Sequence, residues 1–464
     1  MKKSRRVFLR RSGCALGGAI FASTVNRFSL VNAMAQTKQP NAGAPDYKAL
    51  VCIYLGGGND GNNMVVPIDS YQAPDGSPDG YPAYAALRGP LVIPQGSLLP
   101  ISPIGLGKTF GLHPSMTALQ GLFANQRLAV LCNVGTLVAP MTRAQYLANS
   151  VQRPDNLFSH DDQTDQYQSA VLTNTLVNPP TGWGGRLADG TGGLNGGSNF
   201  PMIVSLSGAP LFGTTNLTRP LVPGSNLSGF PSQPTTDARY NAMQYLLTVD
   251  RGATLVNSQS DVMQRAVANT SLLNQALNDN TSVVTAFPST GIGNQMRSIA
   301  RVIAKRSILF GLQRQIFFAS LGGFDTHTGQ LSSHTTLFTQ LSLAMKAFYD
   351  ATVELGVSSS VTTFTMSDFS RTLKPTADGS DHAWGSHQFI MGDAVIGGRF
   401  YGTYPTLKTS AFNDSGNEGR WIPTTALDQF GATLSRWFGL ADADLPTVFP
   451  NLSHFTTANL GFLP

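Results

Sequence analysis

The sequence is short of charge. Only 12% of its 464 residues are Asp, Glu, Lys or Arg, so a cluster of acids and histidines inside it is not ordinary solvated surface. Cysteine is scarcer still, with three in the chain, which excludes a disulfide-stapled scaffold. Beyond the N-terminus no stretch approaches the roughly 20 apolar residues that a membrane helix needs. The chain also lacks P-loop, GxSxG and HExxH motifs, which argues against NTP hydrolysis, a serine-hydrolase elbow and a zincin. No short-period repeat is present.

What is present is a globular composition, 41% hydrophobic with 48 glycines and 28 prolines. That balance predicts many ordered loops on a sheet scaffold rather than a helical bundle. The first 35 residues read as a targeting segment. Two lysines and SRRVFLR (Ser4 to Arg10) precede a mildly apolar run from Cys14 to Val25, and Ala33-Met34-Ala35 offers small residues for a signal peptidase. Paired arginines before Phe-Leu predict a twin-arginine export signal, with the twin-arginine translocation machinery as partner. The expected location is periplasmic or secreted, reached in the folded state. This segment holds seven of the 31 basic residues and no acid, which leaves 24 basic against 26 acidic side chains beyond it. The overall charge of +5 therefore belongs to the targeting segment, and a basic surface for nucleic acid is not expected.

Residues 36–47 read as a polar linker, and residues 48–464 as one α/β domain with a loop-rich excursion near 207–235. Continuous apolar runs at 48–55, 127–134, 202–206, 316–321, 361–366 and 389–395 predict buried strands. Amphipathic spacing predicts helices at 113–125, 337–355 and 427–438, with further helical patterns at roughly 236–280 and 293–305. Strands that are apolar throughout and alternate with helices predict a mostly parallel sheet with helices on both faces. Cys52 and Cys132 lie in two of these runs and read as buried thiols, with a disulfide between them left open.

Four of the seven histidines (His327, His334, His382, His387) fall in the window from Asp325 to His387, which also holds the motifs GGFDTH, TMSDFSRT and GSDHAWGSH. Asp60, Asp325 and Asp368 each follow the end of an apolar strand, the edge at which parallel sheets bind ligands. Asp60 alone reads first as a helix N-cap; with the others it reads as a ligand. The candidate metal ligands are Asp60, Asp325, His327, Asp368, Asp381, His382 and His387. His334 and His454 read as surface or capping positions. A mixed oxygen and nitrogen set suits Zn²⁺, Mn²⁺ or Fe²⁺ better than Ca²⁺, and two cations about 4 Å apart could clamp a phosphate or sulfate ester. Ser159, in NLFSHDDQ, and Thr136 are candidate nucleophiles, and Arg371 a candidate for neutralising an oxyanion.

Seven stretches together resemble a bacterial family, the domain of unknown function 1501 family: LGGGNDGNNMVVP (55–67), LAVLCNVGTL (128–137), NLFSHDDQ (156–163), GGFDTH (322–327), VTTFTMSDFSRT (361–372), GSDHAWGSH (379–387) and WFGLADADLPTVFPNL (437–452). That family is similar to the alkaline phosphatase and sulfatase superfamily. The resemblance implies an alkaline-phosphatase-like three-layer α/β sandwich with a metal site at the strand ends. It implies one or two divalent ions (Zn, Mn or Mg) and a small anionic ester or a polysaccharide as substrate. Asp60, Asp325, His327 and Asp368 would match the superfamily's ligand positions, and His382 or His387 its late histidine. The chain departs from the pattern at Phe369, where a histidine would follow Asp368, and no hydroxyl stands at an obvious nucleophile position. The resemblance thus also admits a non-catalytic periplasmic binding or assembly protein.

Overall fold

Side chains along the strand Lys48–Gly56 (β1) alternate between two apolar environments. Ala49, Val51, Ile53 and Leu55 enter one core and Leu50, Cys52 and Tyr54 the other. A strand buried on both faces needs a layer of helices on each, and the computed structural model has both. It describes residues 46–173, 181–217, 220–222, 238–249 and 253–464. The targeting segment at 1–35, most of the 36–47 linker and much of the 207–235 excursion lie outside the described residues.

The other strands of the main sheet are β2 (Leu128–Gly135), β3 (Ile203–Ser205), β4 (Arg314–Gly322), β5 (Val361–Ser367), β6 (Ser386–Met391), β7 (Phe400–Gly402) and β8 (Thr425–Ala426). Their order is β7-β2-β6-β5-β1-β4-β3, with β8 also paired to β2. Only β6 runs against the rest. The mostly parallel sheet is therefore as expected, although β6 starts three residues before the apolar run that signals it.

The helices that matter below are α1 (Gly61–Met64), α2 (Tyr81–Arg88), α3 (Thr117–Ala124), α4 (His160–Ser169), α5 (Trp183–Thr191), α6 (Thr254–Asn278), α7 (Gly291–Ala304), α8 (Gln330–Glu354) and α9 (Leu427–Phe438). Apolar side chains of α3, α6, α7 and α8 cover one face of the sheet. Tyr167 of α4, Trp183 and Leu187 of α5, and Leu427, Phe430 and Trp437 of α9 cover the other. No helix among the described residues is long and apolar enough to cross a membrane.

Register places the functional loops side by side. Leu55 pairs with Ser367 and Gly56 with Gly322, so β1, β4 and β5 end level with one another. The loops that follow them carry Gly57 to Asp60, Asp325 to His327 and Asp368 to Arg371. Cys52 and Cys132 are both free and buried. They lie in strands separated by β5 and β6, roughly 14 Å apart at the usual strand spacing, and in opposite cores. A disulfide needs Cα atoms within about 7 Å, so this pair does not bond.

One buried acid gives the fold a pH signature. Asp428, in the first turn of α9, is fully buried. One oxygen accepts from the Asn451 N–H at 2.9 Å, and the other has no hydrogen-bond partner. Burial pushes its carboxyl up to about 7. The folded chain then holds a proton that the unfolded chain has released, so stability is greatest in acid and falls as pH rises through about 7. The Asp428→Asn variant is expected to remove this decline, which is at most about 4 kcal/mol at about 1.4 kcal/mol per pKa unit. Urea midpoints at mildly acidic and mildly alkaline pH check it: the wild type loses stability across the interval and the variant loses less.

Candidate metal centre

Four segments far apart in sequence meet at the carboxyl ends of β1, β4 and β5. The β4 loop is held by its backbone: Ser380 N–H donates to the Thr326 carbonyl at 3.2 Å. Gly379 packs so closely on His327 that an added Cβ would lie 2.1 Å from its carbonyl carbon. The chain after β5 pairs with 381–384 like a short hairpin, through Thr372 N–H to Asp381 O (2.9 Å), Ala383 N–H to Ser370 O (2.8 Å) and Ser370 N–H to Trp384 O (3.2 Å). Arg371 and His382 are consequently opposed. The fourth segment is the start of α4, capped by Ser159, whose first residue is His160.

The side chains converge on one oxygen. Asp325 Oδ1 lies 3.1 Å from His327 Nε2, 3.4 Å from His160 Nε2 and 3.6 Å from His382 Nε2. The His327 and His382 Nε2 atoms are 3.0 Å apart. His160 Nε2 is buried and makes no hydrogen bond. On their outer sides, His160 Nδ1 lies 2.5 Å from Asp368 Oδ2, and His382 Nδ1 lies 2.7 Å from the Phe158 carbonyl. Phe369 fills the space where a histidine was expected, its ring 4.6 Å from the centroids of both His160 and His382. The side chains of Asp325 and His327 are about half exposed (49% and 48%), so the cluster is open to solvent on one side.

Asp368 is buried and caged. Its Oδ1 accepts from the Gly58 N–H at 2.5 Å, the Gly57 N–H at 3.2 Å and the Ser367 hydroxyl at 3.1 Å. Glycine is required there. Gly57 and Gly58 have φ of 111° and 83°, and a Cβ would strike the Asp325 nitrogen at the first and the Phe369 ring at the second. Arg371 is buried and donates to the Gly57, Gly58 and Ser380 carbonyls and to Asp325 Oδ1. Burial works to raise the Asp325 carboxyl, but the Arg371 guanidinium outweighs it and, with His160 and His327, brings it down to about 2. The Asp368 carboxylate raises the His160 imidazole; burial lowers that of His382.

Two groups of three donors could hold a cation: His160, Asp325 and His382, and His327, Asp381 and His382. Within each group the ligand atoms lie within 4.8 Å of one another. Of the residues expected from the sequence, Asp325, His327, Asp381 and His382 fall in these groups. Asp368 stands behind His160 rather than beside Asp325, and Asp381 is also paired with Arg420 at 2.8 Å.

Asp60 and His387 are placed elsewhere. Asp60 caps α1 through the Asn62 N–H (2.9 Å), and its other oxygen accepts from Gln330 Nε2 (2.5 Å) and the buried Arg88 guanidinium. His387 sits at the irregularity in the β6–β2 register. Its Nδ1 accepts from the Asn133 N–H at 3.2 Å, its ring stacks on Tyr404, and burial lowers it to about 3. His334 is buried against Phe324 and Phe338 instead of lying on the surface, whereas His454 is exposed. Both candidate nucleophiles are already hydrogen-bonded. Ser159 Oγ donates to Asp162 Oδ2 at 2.6 Å, and Thr136 is buried, with its Oγ1 accepting from Gln163 and Trp384. His160 was absent from the expected ligand set. No spacing links it to residues 325–387; its one signal was its place in the SHDD run beside a candidate nucleophile.

The family described as "Protein of unknown function (DUF1501)" matches residues 47–438. The chain belongs to that family. A search of curated proteins found no match. Among solved structures the chain is similar to the lipoteichoic acid synthase LtaP from Listeria monocytogenes, at 9% identity, covering 86% of this chain and 80% of that one, with a TM-score of 0.29. It is similar to the PsFucS1 sulfatase from Pseudoalteromonas sp., at 9% identity, with coverage of 91% and 72% and a TM-score of 0.34. It is likewise similar to Ps i-CgsB, solved with a neocarrahexaose, at 8% identity, with coverage of 88% and 77% and a TM-score of 0.34. Superposition at that level assigns no activity.

The burial of Asp60 against Arg88 has a measurable consequence. Both side chains have no exposure, and removing one partner of such a pair leaves an uncompensated charge, typically at a loss of 3–5 kcal/mol. Arg88→Met is expected to lower unfolding stability by about that amount while leaving the His160, Asp325 and His382 arrangement in the folded fraction. Denaturant unfolding checks the first part, and metal binding by the folded protein checks the second.

Proposed function

We propose that His160, Asp325, His327 and His382 hold a divalent transition-metal ion and that the protein is an exported hydrolase of a phosphate or sulfate ester. The observation that carries this reading is the approach of three imidazole Nε2 atoms to one carboxylate oxygen. The buried His160 Nε2 makes no hydrogen bond although Asp325 Oδ1 lies 3.4 Å away, and a cation between the two would satisfy both. Three nitrogens and a carboxylate oxygen match the preferences of zinc, manganese or iron. When bound, such an ion acts as a Lewis acid toward an ester oxygen.

The chain's own residues have distinct parts in this reading. Arg371 braces Asp325 and keeps its carboxylate ionised. Arg420, ion-paired with Asp381 and Glu418, donates to the His382 carbonyl and so steadies the segment that carries His382. The twin-arginine pattern in residues 1–35 supports export of the folded chain. A second reading, a non-catalytic binding or assembly protein on the same scaffold, is favoured by one observation: the Ser159 and Thr136 hydroxyls are both engaged away from the cluster.

Metal analysis of the purified protein, followed by hydrolysis of a panel of phosphate and sulfate esters with and without chelator, tests the proposal. Bound zinc or manganese is expected, with turnover lost on chelation and restored by the ion. His160→Ala and His382→Ala should lose both metal and turnover while remaining folded. Metal without turnover on any ester would establish the second reading. A protein that takes up no metal and is inert on the panel would overturn both.

A further inference from the structure

We infer that His160 and His382 are preset as Nδ1–H tautomers, by Asp368 and the Phe158 carbonyl respectively, so that the centre takes one ion and Asp368 is a positioning residue instead of a ligand. The inference rests on the metal reading above. A neutral imidazole carries one N–H and one lone pair, and its hydrogen bonds decide which nitrogen has which. A backbone carbonyl can only accept, so the 2.7 Å contact from His382 Nδ1 to Phe158 O places the proton on Nδ1 and the lone pair on Nε2. Asp368 does the same for His160. Its Oδ1 is filled by the Gly57 and Gly58 amides, and its Oδ2 faces His160 Nδ1 at 2.5 Å. The Nε2 atom of His160 then faces Asp325 Oδ1, and that of His382 faces His327 Nε2 at 3.0 Å and Asp325 Oδ1 at 3.6 Å. A carboxylate or carbonyl behind a ligating histidine fixes the orientation of the ring and raises its basicity.

The number of ions follows from the same geometry. Each of the two donor groups needs His382, and with Nδ1 committed His382 has a single lone pair to give. An ion held by His160, Asp325 and His382 leaves a second ion only His327 and Asp381, and Asp381 is already paired with Arg420. Two protein donors fall short of the three that zinc sites commonly keep. Asp60, which could have completed a second site, is held by Arg88 and Gln330. Phe369 supports the preset arrangement by packing against both rings at 4.6 Å.

The test combines two measurements on the full folded chain. Long-range ¹H–¹⁵N correlation spectra of the metal-free protein, at a pH where the imidazoles are neutral, report the tautomers; Nδ1–H is expected for both His160 and His382. Calorimetric titration with Zn²⁺ is expected to saturate at one ion per chain. Asp368→Ala should release His160 to the Nε2–H form and weaken zinc binding roughly 10–100-fold, while Asp368→Asn, which keeps an acceptor oxygen, should recover part of the loss. The wild-type spectra and titration decide the matter should the alanine variant not fold. Saturation at two ions, or Nε2–H on either histidine, would overturn this inference while the metal reading stands. Failure to bind zinc at all would overturn both.

Discussion

One carboxylate oxygen ties the site to the sheet. Asp368 Oδ1 is held by the amides of Gly57 and Gly58, which ties the loop after β1 to the end of β5, and Arg371 reinforces the tie by donating to the carbonyls of the same two glycines. The other oxygen of Asp368 is thereby directed at His160 on a separate helix. Glycine is needed at both amide positions, because the backbone there is left-handed and a side chain would strike Asp325 or Phe369. Fixing Asp368 also fixes the neighbouring residues: Arg371 braces Asp325 from within the same loop, and the pairing of 370–372 with 381–384 brings His382 to the opposite side.

Charge is rationed to match. Two buried carboxylates are met by basic partners, Asp60 by Arg88 and Asp368 by His160. These pairs have different surroundings. The first is sealed and serves the packing between α1, α2 and α8. The second has one face toward solvent through the half-exposed Asp325 and His327. The second also leaves the His160 Nε2 facing the half-exposed Asp325 carboxylate, which separates a structural ion pair from a centre able to take a ligand.

The scaffold was largely legible in the sequence because it follows from periodicity. Apolar runs gave the strands, α9 was expected with the same limits it has, and three strand-end loops carrying acids pointed to one edge of the sheet. Side-chain direction was not legible. Asp60 and Asp325 look alike in sequence, each just beyond a strand and a glycine-rich turn, yet Asp60 turns inward because α1 begins at the next residue and Arg88 waits behind it. His387 was expected in the cluster from its nearness to His382, but an irregularity in the β6–β2 pairing turns it toward Asn133 and Tyr404. His160 was missed because nothing local marks a residue that acquires its role only when α4 docks over the strand ends. Phe369 was read as a missing ligand; in the structure it packs between two histidine rings.

X-ray absorption at the zinc edge of the zinc-loaded protein tests the central claim most directly, because it counts ligands by element and reports a neighbouring metal. Imidazole-dominated scattering at about 2.0–2.1 Å with a carboxylate oxygen, and no metal–metal vector near the roughly 3.5–4 Å of a two-ion site, is the predicted result. An oxygen-only shell, or a resolved metal–metal distance, would contradict it.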